Sequence, residues 1–260
     1  MKICLSSRQS KEYLSKADEI KVNYRDKNSI PDLIFSYPEA TIILVKDDSD
    51  ELLNWDEIKR YKMLAKDKFI IALSSMRDIA FCTEHEVDWY AGFPVKTFYE
   101  LNALKTLGAC YVRLGEPLFF MMDKVSKFEI PIRAVPNVAY VDGLFRDDGV
   151  CGTWIRPEDL DAYAPYISTI EFEDVDKQEK EQALYRVYME QKRWPGTLGL
   201  IVSNFNYPGV NRMIPPDLVE KRLNCGQRCQ ETGHCKICYR MFDLAEPERY
   251  TYLQETTDQN

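Results

Sequence analysis

The stretch "TIILVKDDSDELLNWDEIKRYKMLAKDKFIIALSS" (residues 41–75) contains one complete strand–helix–strand unit. Its apolar runs at 41–45 and 69–74 are rich in Ile, Val and Phe and have the length of buried strands. The segment between them, 54–67, has a helical pattern. Two strands separated by a helix pair in parallel through a right-handed crossover, so the stretch predicts an α/β fold.

The same pattern recurs along most of the chain. Eight such units close most naturally into a (β/α)8 TIM-like barrel. An open doubly wound sheet is the alternative, but it favours a Gly-rich turn after the first strand, and "LSSRQS" (5–10) has no glycine. We therefore predict a barrel over residues 1–196 and a C-terminal extension over 197–260. The predicted strands are 2–6, 19–24, 41–45, 69–74, 87–92, 110–115, 131–136 and 168–173.

Composition narrows the class of protein. The 260 residues are 45% hydrophobic and 29% charged, which is typical of a globular chain. A net charge of −8 argues against a surface that binds nucleic acid as a whole. No stretch has the roughly 18 apolar residues of a membrane span. The start, "MKICLSSRQSKEYL" (1–14), turns polar after five residues, unlike a signal peptide. We expect a cytoplasmic protein with reduced thiols and no membrane contact.

The ends of the predicted strands carry arginines and carboxylates. Side chains at the C-terminal ends of barrel strands build the functional site. Guanidinium groups bind carboxylate or phosphate through two parallel hydrogen bonds, so this mouth predicts a small anionic ligand. The alternative is that the rim charges pair only with one another. The candidate catalytic residues are Arg113, Glu116, Arg133, Arg156 and Glu171.

The other polar residues of this face match no recognised catalytic motif. The patterns GxSxG and HExxH and the Gly-rich phosphate loops are absent, and His85 and His234 lie far apart in the chain. The sequence therefore does not support serine or cysteine hydrolase chemistry. Further polar candidates at strand ends are Ser6, Ser7, Arg8, Tyr24, Arg25, Asp26, Lys46, Asp47, Ser74, Ser75, Arg77, Asn137, Glu173 and Asp174.

Four of the eight cysteines fall in one polar segment, "CGQRCQETGHCKIC" (225–238). In a reducing compartment such a cluster favours a metal over disulfides. Cys225, Cys229, Cys235 and Cys238 can together coordinate one zinc ion or anchor a [4Fe–4S] cluster. The compact spacing leans towards iron–sulfur and leaves zinc as the alternative. Free surface thiols or disulfides are the non-metal alternatives.

The remaining cysteines divide into two groups. Cys4, Cys82 and Cys110 lie in or beside apolar runs, which predicts core packing. Cys151 lies on the long loop after the seventh strand, at the predicted functional face, and is a candidate cofactor ligand.

The segment 209–240 is locally basic. It holds six lysines and arginines against three acidic residues in an otherwise acidic chain. This charge predicts a contact with RNA or phosphate, and an ordinary solvated loop is the alternative.

Three motifs between residues 111 and 173 resemble those of the U32 peptidase family. Residues 157–160, Pro-Glu-Asp-Leu, match the start of a family helix. Ile170 and Glu171 match the start of an Ile-Glu-Gly-Arg motif, in which residues 172–173 replace Gly-Arg. The stretch "YVRLGEP" (111–117) is similar to the Arg-Glu element of the family's sixth strand. The resemblance covers residues 85–200.

This resemblance implies a barrel-like fold and a cysteine-ligated [4Fe–4S] cluster. It also implies oxygen-independent hydroxylation of RNA bases or quinones, in the members that have such activity, instead of true peptidase chemistry. The family places a pair of cysteines after the seventh strand, where this chain has only Cys151. Either the tail supplies its thiols to one centre with Cys151, or it binds its own structural metal.

Two functions follow from these observations. The first is a U32-like iron–sulfur enzyme that modifies RNA or a small molecule. The second is a non-catalytic binding or assembly protein, built on a barrel scaffold with a zinc-stapled tail.

Overall fold

The computed structural model describes residues 1–136, 153, 155–172, 178–190 and 216–226. The chain divides into two compact units. The first, the barrel unit, comprises Met1–Leu118, Lys124–Ala134 and Tyr166–Glu171. The second unit comprises Phe119–Asp123, Val135–Pro165 and Phe172–Asn260. The boundary that the sequence predicts at residue 196 lies outside the described residues.

Eight parallel strands form a closed barrel in the order in which they occur along the chain. The last strand pairs with the first, so the sheet has no open edge. The prediction of a (β/α)8 barrel is confirmed, and the open-sheet alternative is excluded. The strands are β1 Lys2–Ser6, β2 Glu19–Asn23, β3 Thr41–Lys46, β4 Phe69–Leu73, β5 Asp88–Val95, β6 Tyr111–Leu114, β7 Ile132–Ala134 and β8 Ile167–Glu171.

Helices alternate with these strands. The α-helices are α1 Lys11–Leu14, α2 Ile30–Ser36, α3 Trp55–Ala65, α4 Ile79–Glu84, α5 Phe98–Thr106, α6 Met122–Val125, α7 Leu160–Tyr163, α8 Gln178–Glu190 and α9 Pro216–Leu223. Short 3-10 helices are Tyr24–Ser29, Met76–Asp78, Leu118–Phe120, Ser126–Phe128 and Pro157–Asp159. No helix among the described residues is long and apolar enough to cross a membrane.

Side-chain caps fix the starts of two helices of the barrel unit. The Asn54 side chain accepts hydrogen bonds from the backbone N–H groups of Asp56 and Glu57 at the start of α3. Thr97 and Glu100 form a reciprocal capping box at the start of α5. Caps satisfy N–H groups that have no partner inside the helix. They therefore define where the loops after β3 and β5 end.

The second unit packs around aromatic side chains. The Arg222 guanidinium on α9 donates to the Tyr163 hydroxyl over 2.8 Å. Its Cζ atom lies 5.7 Å and 5.2 Å from the ring centroids of Phe119 and Phe120. The Tyr188 hydroxyl on α8 donates to the Ile155 carbonyl. These contacts hold α7, α8 and α9 by ring packing and by hydrogen bonds from buried polar groups.

Candidate functional site

The interior of the barrel is built from every second residue of each strand, because side chains alternate between the two faces of a sheet. Cys4 is in register with Glu19 on β2 and with Glu171 on β8. Strand tilt shifts this register by about one residue per strand, so inward side chains of alternate strands form layers. There are three layers, counted from the N-terminal ends of the strands. The lower layer consists of Glu19, Ile70, Tyr111 and Thr169, and the middle layer consists of Cys4, Ile43, Tyr90 and Arg133. The upper layer consists of Lys21, Ala72, Arg113 and Glu171.

The two halves of this interior differ in chemistry. The β3 and β4 side is apolar, and Ile43, Ile70 and Ala72 pack there with Cys4 and Tyr90. The charged residues come from β2, β6, β7 and β8. Charges rarely lie inside a protein without partners, because removing them from water is costly.

Arg133 links two buried carboxylates across these layers. Its Nη1 atom lies 2.5 Å from Glu19 Oε2, and its Nε atom lies 2.9 Å from Glu171 Oε2. Lys21 Nζ lies 3.0 Å from the other oxygen of Glu171, and the Tyr90 hydroxyl donates to Oε2 over 3.2 Å. Glu171 therefore accepts hydrogen bonds from three side chains on three other strands.

Aromatic rings surround the central arginine. The Cζ atom of Arg133 lies 4.7 Å from the ring centroid of Tyr90 and 5.2 Å from that of Tyr111. The side chain of Arg133 is fully buried. Cation–π attraction adds to the two ion pairs, so this guanidinium is held from several directions.

The cluster keeps its charges near neutral pH. Burial raises the pKa of Glu171, but Lys21, Arg133 and Arg113 together lower it more, and the pKa ends well below its usual range. Burial lowers the pKa of Lys21, but the Glu171 carboxylate and Cys4 raise it, and the pKa ends above its usual value. Burial raises the pKa of the Tyr90 hydroxyl well above its usual value. Glu171 is therefore ionised, Lys21 is protonated, and none of the three suits proton transfer near pH 7.

The C-terminal end of the barrel interior carries two cations. Lys21 and Arg113 belong to the upper layer and lie four strands apart, which places them on opposite sides of the barrel. Three small residues lie on other strands near this end of the barrel, namely Ala72, Gly92 and Ser6. We call these five residues the cup.

Two backbone features shape the wall of the cup. The Nη1 atom of Arg113 donates to the Gly92 carbonyl, which anchors the guanidinium against β5. A Cβ atom at Gly92 would lie 3.3 Å from the Leu73 carbonyl oxygen. This approach is tight, so a larger residue at this position would require the β4 backbone to shift by a few tenths of an ångström.

The structure places the five predicted catalytic residues in three settings. Arg113, Arg133 and Glu171 come together inside the barrel. Glu116 is half-buried in the loop after β6, where it precedes a cis peptide bond to Pro117. Arg156 belongs to the second unit.

Arg156 is buried at the start of the Pro157–Asp159 turn. Its Nε and Nη2 atoms each lie 2.7 Å from an oxygen of Asp159, and its Nη1 atom lies 3.1 Å from Glu158. The guanidinium fork is therefore engaged by carboxylates two and three residues away. This arrangement stabilises the turn before α7.

Several other predicted mouth residues pair with one another. Arg8 is exposed and lies 3.7 Å from Asp26. Lys46 is buried, and its Nζ atom lies 3.0 Å from Asp78. Asp47 accepts a hydrogen bond of 2.6 Å from the Ser74 hydroxyl. Asn137, Glu173 and Asp174 lie outside the described residues.

The predicted metal thiols are described only at Cys225. It follows α9 and is partly exposed. The next residue, Gly226, has a φ of +62°, a left-handed conformation that glycine adopts easily. Cys151, Cys229, Cys235 and Cys238 lie outside the described residues. The described part of the chain holds no group of three His, Cys, Asp or Glu side chains arranged for a metal ion.

The three cysteines that the sequence predicts in the core are buried or partly buried. Cys4 and Cys82 are fully buried, and Cys110 packs partly buried against the apolar half of the barrel interior. Burial raises the pKa of the Cys82 and Cys110 thiols to about 12. These thiols are therefore protonated and poorly nucleophilic near pH 7.

The sequence interpretation missed Glu19, Lys21 and Tyr90. Each lies within a predicted strand and not in the loop after it. The signal is in "EIKVNY" (19–24), where charged residues at alternate positions occupy one face of an otherwise apolar run. Two charges on the inner face of a buried strand require partners, and the partners come from distant strands.

Comparison with known proteins identifies neither a family nor a reaction for this chain. No protein-family model and no curated protein matches the chain. Among solved structures, phosphoribosyl anthranilate isomerase from Thermus thermophilus is 12% identical, with a TM-score of 0.46, and the match covers 74% of this chain and 100% of that one. The 3-keto-L-gulonate-6-phosphate decarboxylase of Vibrio cholerae is 14% identical, with a TM-score of 0.46, and the match covers 73% and 96%. Orotidine 5'-monophosphate decarboxylase from Metallosphaera sedula is 13% identical, with a TM-score of 0.42 and coverage of 74% and 99%. The closed order of the eight strands shows that this chain is a (β/α)8 barrel. Likeness at these identities and TM-scores gives no information about the reaction.

Proposed function

We propose that the chain is a cytoplasmic, U32-like enzyme that modifies RNA or a small molecule. In this proposal the cup binds a small anion, and the tail cysteines hold a metal centre, with a [4Fe–4S] cluster as the first choice. The observation that carries the proposal is the pair of cations, Lys21 and Arg113, on opposite sides of the cup.

The cations favour an anion for two reasons. Buried charges act through a lower effective dielectric than water, so an anion between Lys21 and Arg113 gains more than it would at the surface. Hydrogen bonds from charged donors to carboxylate or phosphate are also stronger than neutral ones. The two cations repel each other, since Arg113 contributes to lowering the pKa of Lys21 after the larger effects of burial and Glu171. A bound anion relieves that repulsion.

Glu171 positions Lys21 in this scheme. The carboxylate is itself fixed by Arg133 and Tyr90, and it holds Lys21 Nζ at 3.0 Å. A lysine amine held in this way loses little conformational entropy when a ligand arrives. Glu171 therefore acts through Lys21 and not on the ligand.

The chemistry of the reaction must come from outside this cluster. Glu171, Lys21 and Tyr90 keep one protonation state near pH 7, so they bind and orient instead of exchanging protons. A [4Fe–4S] cluster held by the tail would supply redox chemistry. Cys225 is the described member of the proposed ligand set, and its partial exposure is compatible with that role.

The same observation also favours a second candidate, a non-catalytic binding or assembly protein with a zinc-stapled tail. A cup without a titrating group is sufficient for a binding protein. The identity of the metal separates the two candidates.

The anion part of the proposal is tested by thermal unfolding with added phosphate and with small carboxylates. Both kinds of anion are expected to raise the unfolding temperature of the native protein. Lys21→Gln and Arg113→Gln should each weaken the binding about tenfold, the value of one charge-assisted hydrogen bond. Arg8→Gln, at an exposed arginine, is the matched control and should keep native binding. Equal stabilisation in all four proteins would overturn the cup as the binding site.

The metal part is tested by elemental analysis of anaerobically purified protein. Roughly four irons per chain support the enzyme, and about one zinc per chain supports the binding protein. Cys225→Ser, Cys229→Ser, Cys235→Ser and Cys238→Ser should each lose the metal. Loss in Cys151→Ser as well indicates one shared centre, whereas retention there indicates a separate structural site in the tail. Metal retention in two or more of the tail variants would exclude the proposed ligand set.

If RNA is the substrate, the basic segment 209–240 is the proposed contact. It lies outside the described residues except for 216–226. Of its six basic residues, Arg222 is buried against aromatic rings, which leaves five for a nucleic acid. Binding of single-stranded RNA should therefore weaken as salt is added.

A further inference from the structure

Three buried polar atoms around Arg133 make no hydrogen bond to any described residue. They are Arg133 Nη2, Glu19 Oε1 and Thr169 Oγ1. All three residues are at most 1% exposed. A buried donor or acceptor without a partner costs free energy, and most such groups in proteins bind another protein group or an ordered water.

The three atoms belong to one region of the barrel. Arg133 and Thr169 are register partners on β7 and β8. Glu19 is joined to Arg133 through the 2.5 Å contact between Oε2 and Nη1. Nη1 and Nη2 share one carbon, and so do the two oxygens of Glu19. Glu19 and Thr169 both lie in the lower layer, on strands that flank β1, so the region is distinct from the cup.

The neighbours of Arg133 do not satisfy Nη2. The guanidinium carries five N–H donors in one plane, and the two carboxylates occupy donors on Nε and Nη1. The rings of Tyr90 and Tyr111 attract the positive charge, but they offer no lone pair in the plane of the guanidinium. Lys2 Nζ approaches Glu19 Oε1 only to 3.7 Å, which is too long for a hydrogen bond.

We infer that this region binds an ordered water molecule that bridges Arg133 Nη2, Glu19 Oε1 and Thr169 Oγ1. The bound species must accept a hydrogen bond from a guanidinium and donate one to a carboxylate. It must also fit beside a hydroxyl, which can donate or accept a hydrogen bond. An anion would be repelled by Glu19, and a metal cation by Arg133 and Lys2. Water meets these requirements, and three polar partners are the usual number for a buried water. The inference is independent of the proposed function.

A crystal structure of the full chain, at a resolution that shows ordered solvent, tests the inference directly. The expected result is one water at about 2.7–3.2 Å from each of the three atoms. A direct hydrogen bond from Nη2 to Glu19 Oε1 or to Thr169 Oγ1, with no water between them, overturns it. An ion at the position, recognised by its anomalous signal, also overturns it.

A pair of variants at Thr169 tests the inference in solution. Thr169→Ser keeps the hydroxyl, whereas Thr169→Val keeps the shape and removes it. Thr169→Val should lower the unfolding temperature by about 3 °C, as expected for one lost hydrogen bond in a domain of this size. Thr169→Ser should lower it by less, because it loses only a methyl group. A Thr169→Val protein as stable as the native one would contradict the bridging role.

Discussion

Glu171 shows how one residue organises the barrel interior. Its two oxygens accept from Lys21, Tyr90 and Arg133, which lie on β2, β5 and β7. A carboxylate inside a barrel is unfavourable unless such partners surround it. The sequence placed Glu171 among the candidate catalytic residues. The structure instead gives it the environment of an ion-pair centre.

Glu171→Gln should destabilise the protein by about 3 kcal/mol, because it leaves Arg133 and Lys21 buried beside a neutral side chain. Chemical denaturation at pH 7 measures the change. Glu39→Gln is the matched control, since Glu39 also pairs with a lysine, Lys68, but at the exposed surface. The control is expected to unfold as the native protein does. Equal stability of Glu171→Gln and the native protein would show that the cluster contributes little.

The lowered pKa of Glu171 also predicts a pH dependence. A carboxyl whose pKa is lower in the folded state stabilises the fold above its unfolded pKa, roughly 4.3 for glutamate. That contribution is lost as the pH falls below about 4 towards the folded pKa. The stability gap between the native protein and Glu171→Gln should therefore narrow from pH 5 to pH 2. Denaturation midpoints across this range test it, and a constant gap would contradict the assignment.

At the scale of elements, the strands differ in the polarity of the side chains that they place in the barrel interior. β3 and β4 present Ile43, Ile70 and Ala72, whereas β2 presents Glu19 and Lys21 at the equivalent alternate positions. The polarity of the interior is therefore a property of individual strands and not of the barrel type.

The cap of α3 is a local determinant that the sequence already contains. Asn54 Oδ1 accepts from Asp56 N over 2.9 Å and from Glu57 N over 3.3 Å. Asn54→Ala should cost about 1 kcal/mol, because both N–H groups lose their acceptor. Asn54→Asp keeps an acceptor and should be close to the native stability. Urea denaturation compares the free energies of unfolding of the three proteins. An Asn54→Ala protein as stable as the native one would mean that water replaces the cap with no loss of stability.

At the scale of the whole molecule, closure of the sheet pairs the first strand of the barrel with the last. β1 pairs with β8 through Lys2 and Thr169, Ile3 and Ile170, and Cys4 and Glu171. A closed sheet has no edge strand, so a strand at the chain terminus has hydrogen-bonded neighbours on both sides.

Closure predicts strong protection of β1 from hydrogen exchange. The amides of Lys2–Ser6 should exchange as slowly as those of Phe69–Leu73 in β4, although they lie at the start of the chain. Hydrogen–deuterium exchange followed by mass spectrometry measures both segments in one experiment, with β4 as the internal reference. Rapid exchange confined to the first segment would indicate that β1 detaches from β8.

The sequence by itself determined the number, order and parallel pairing of the strands. Each depends on a local pattern, since a buried strand is a short apolar run and a strand followed by a helix returns in parallel. It also identified Arg113, Arg133 and Glu171 as residues near the strand ends.

Only the tertiary structure decided which charges meet. Glu19 and Arg133 are separated by 114 positions, and Lys21 and Glu171 by 150. Their contact depends on the tilt and register of the closed barrel, and no local pattern encodes these. Arg156 illustrates the opposite case, because its partner Asp159 is three residues away and belongs to the same turn. Local spacing forms that pair, whereas barrel closure forms the cluster of Glu19, Lys21, Arg133 and Glu171.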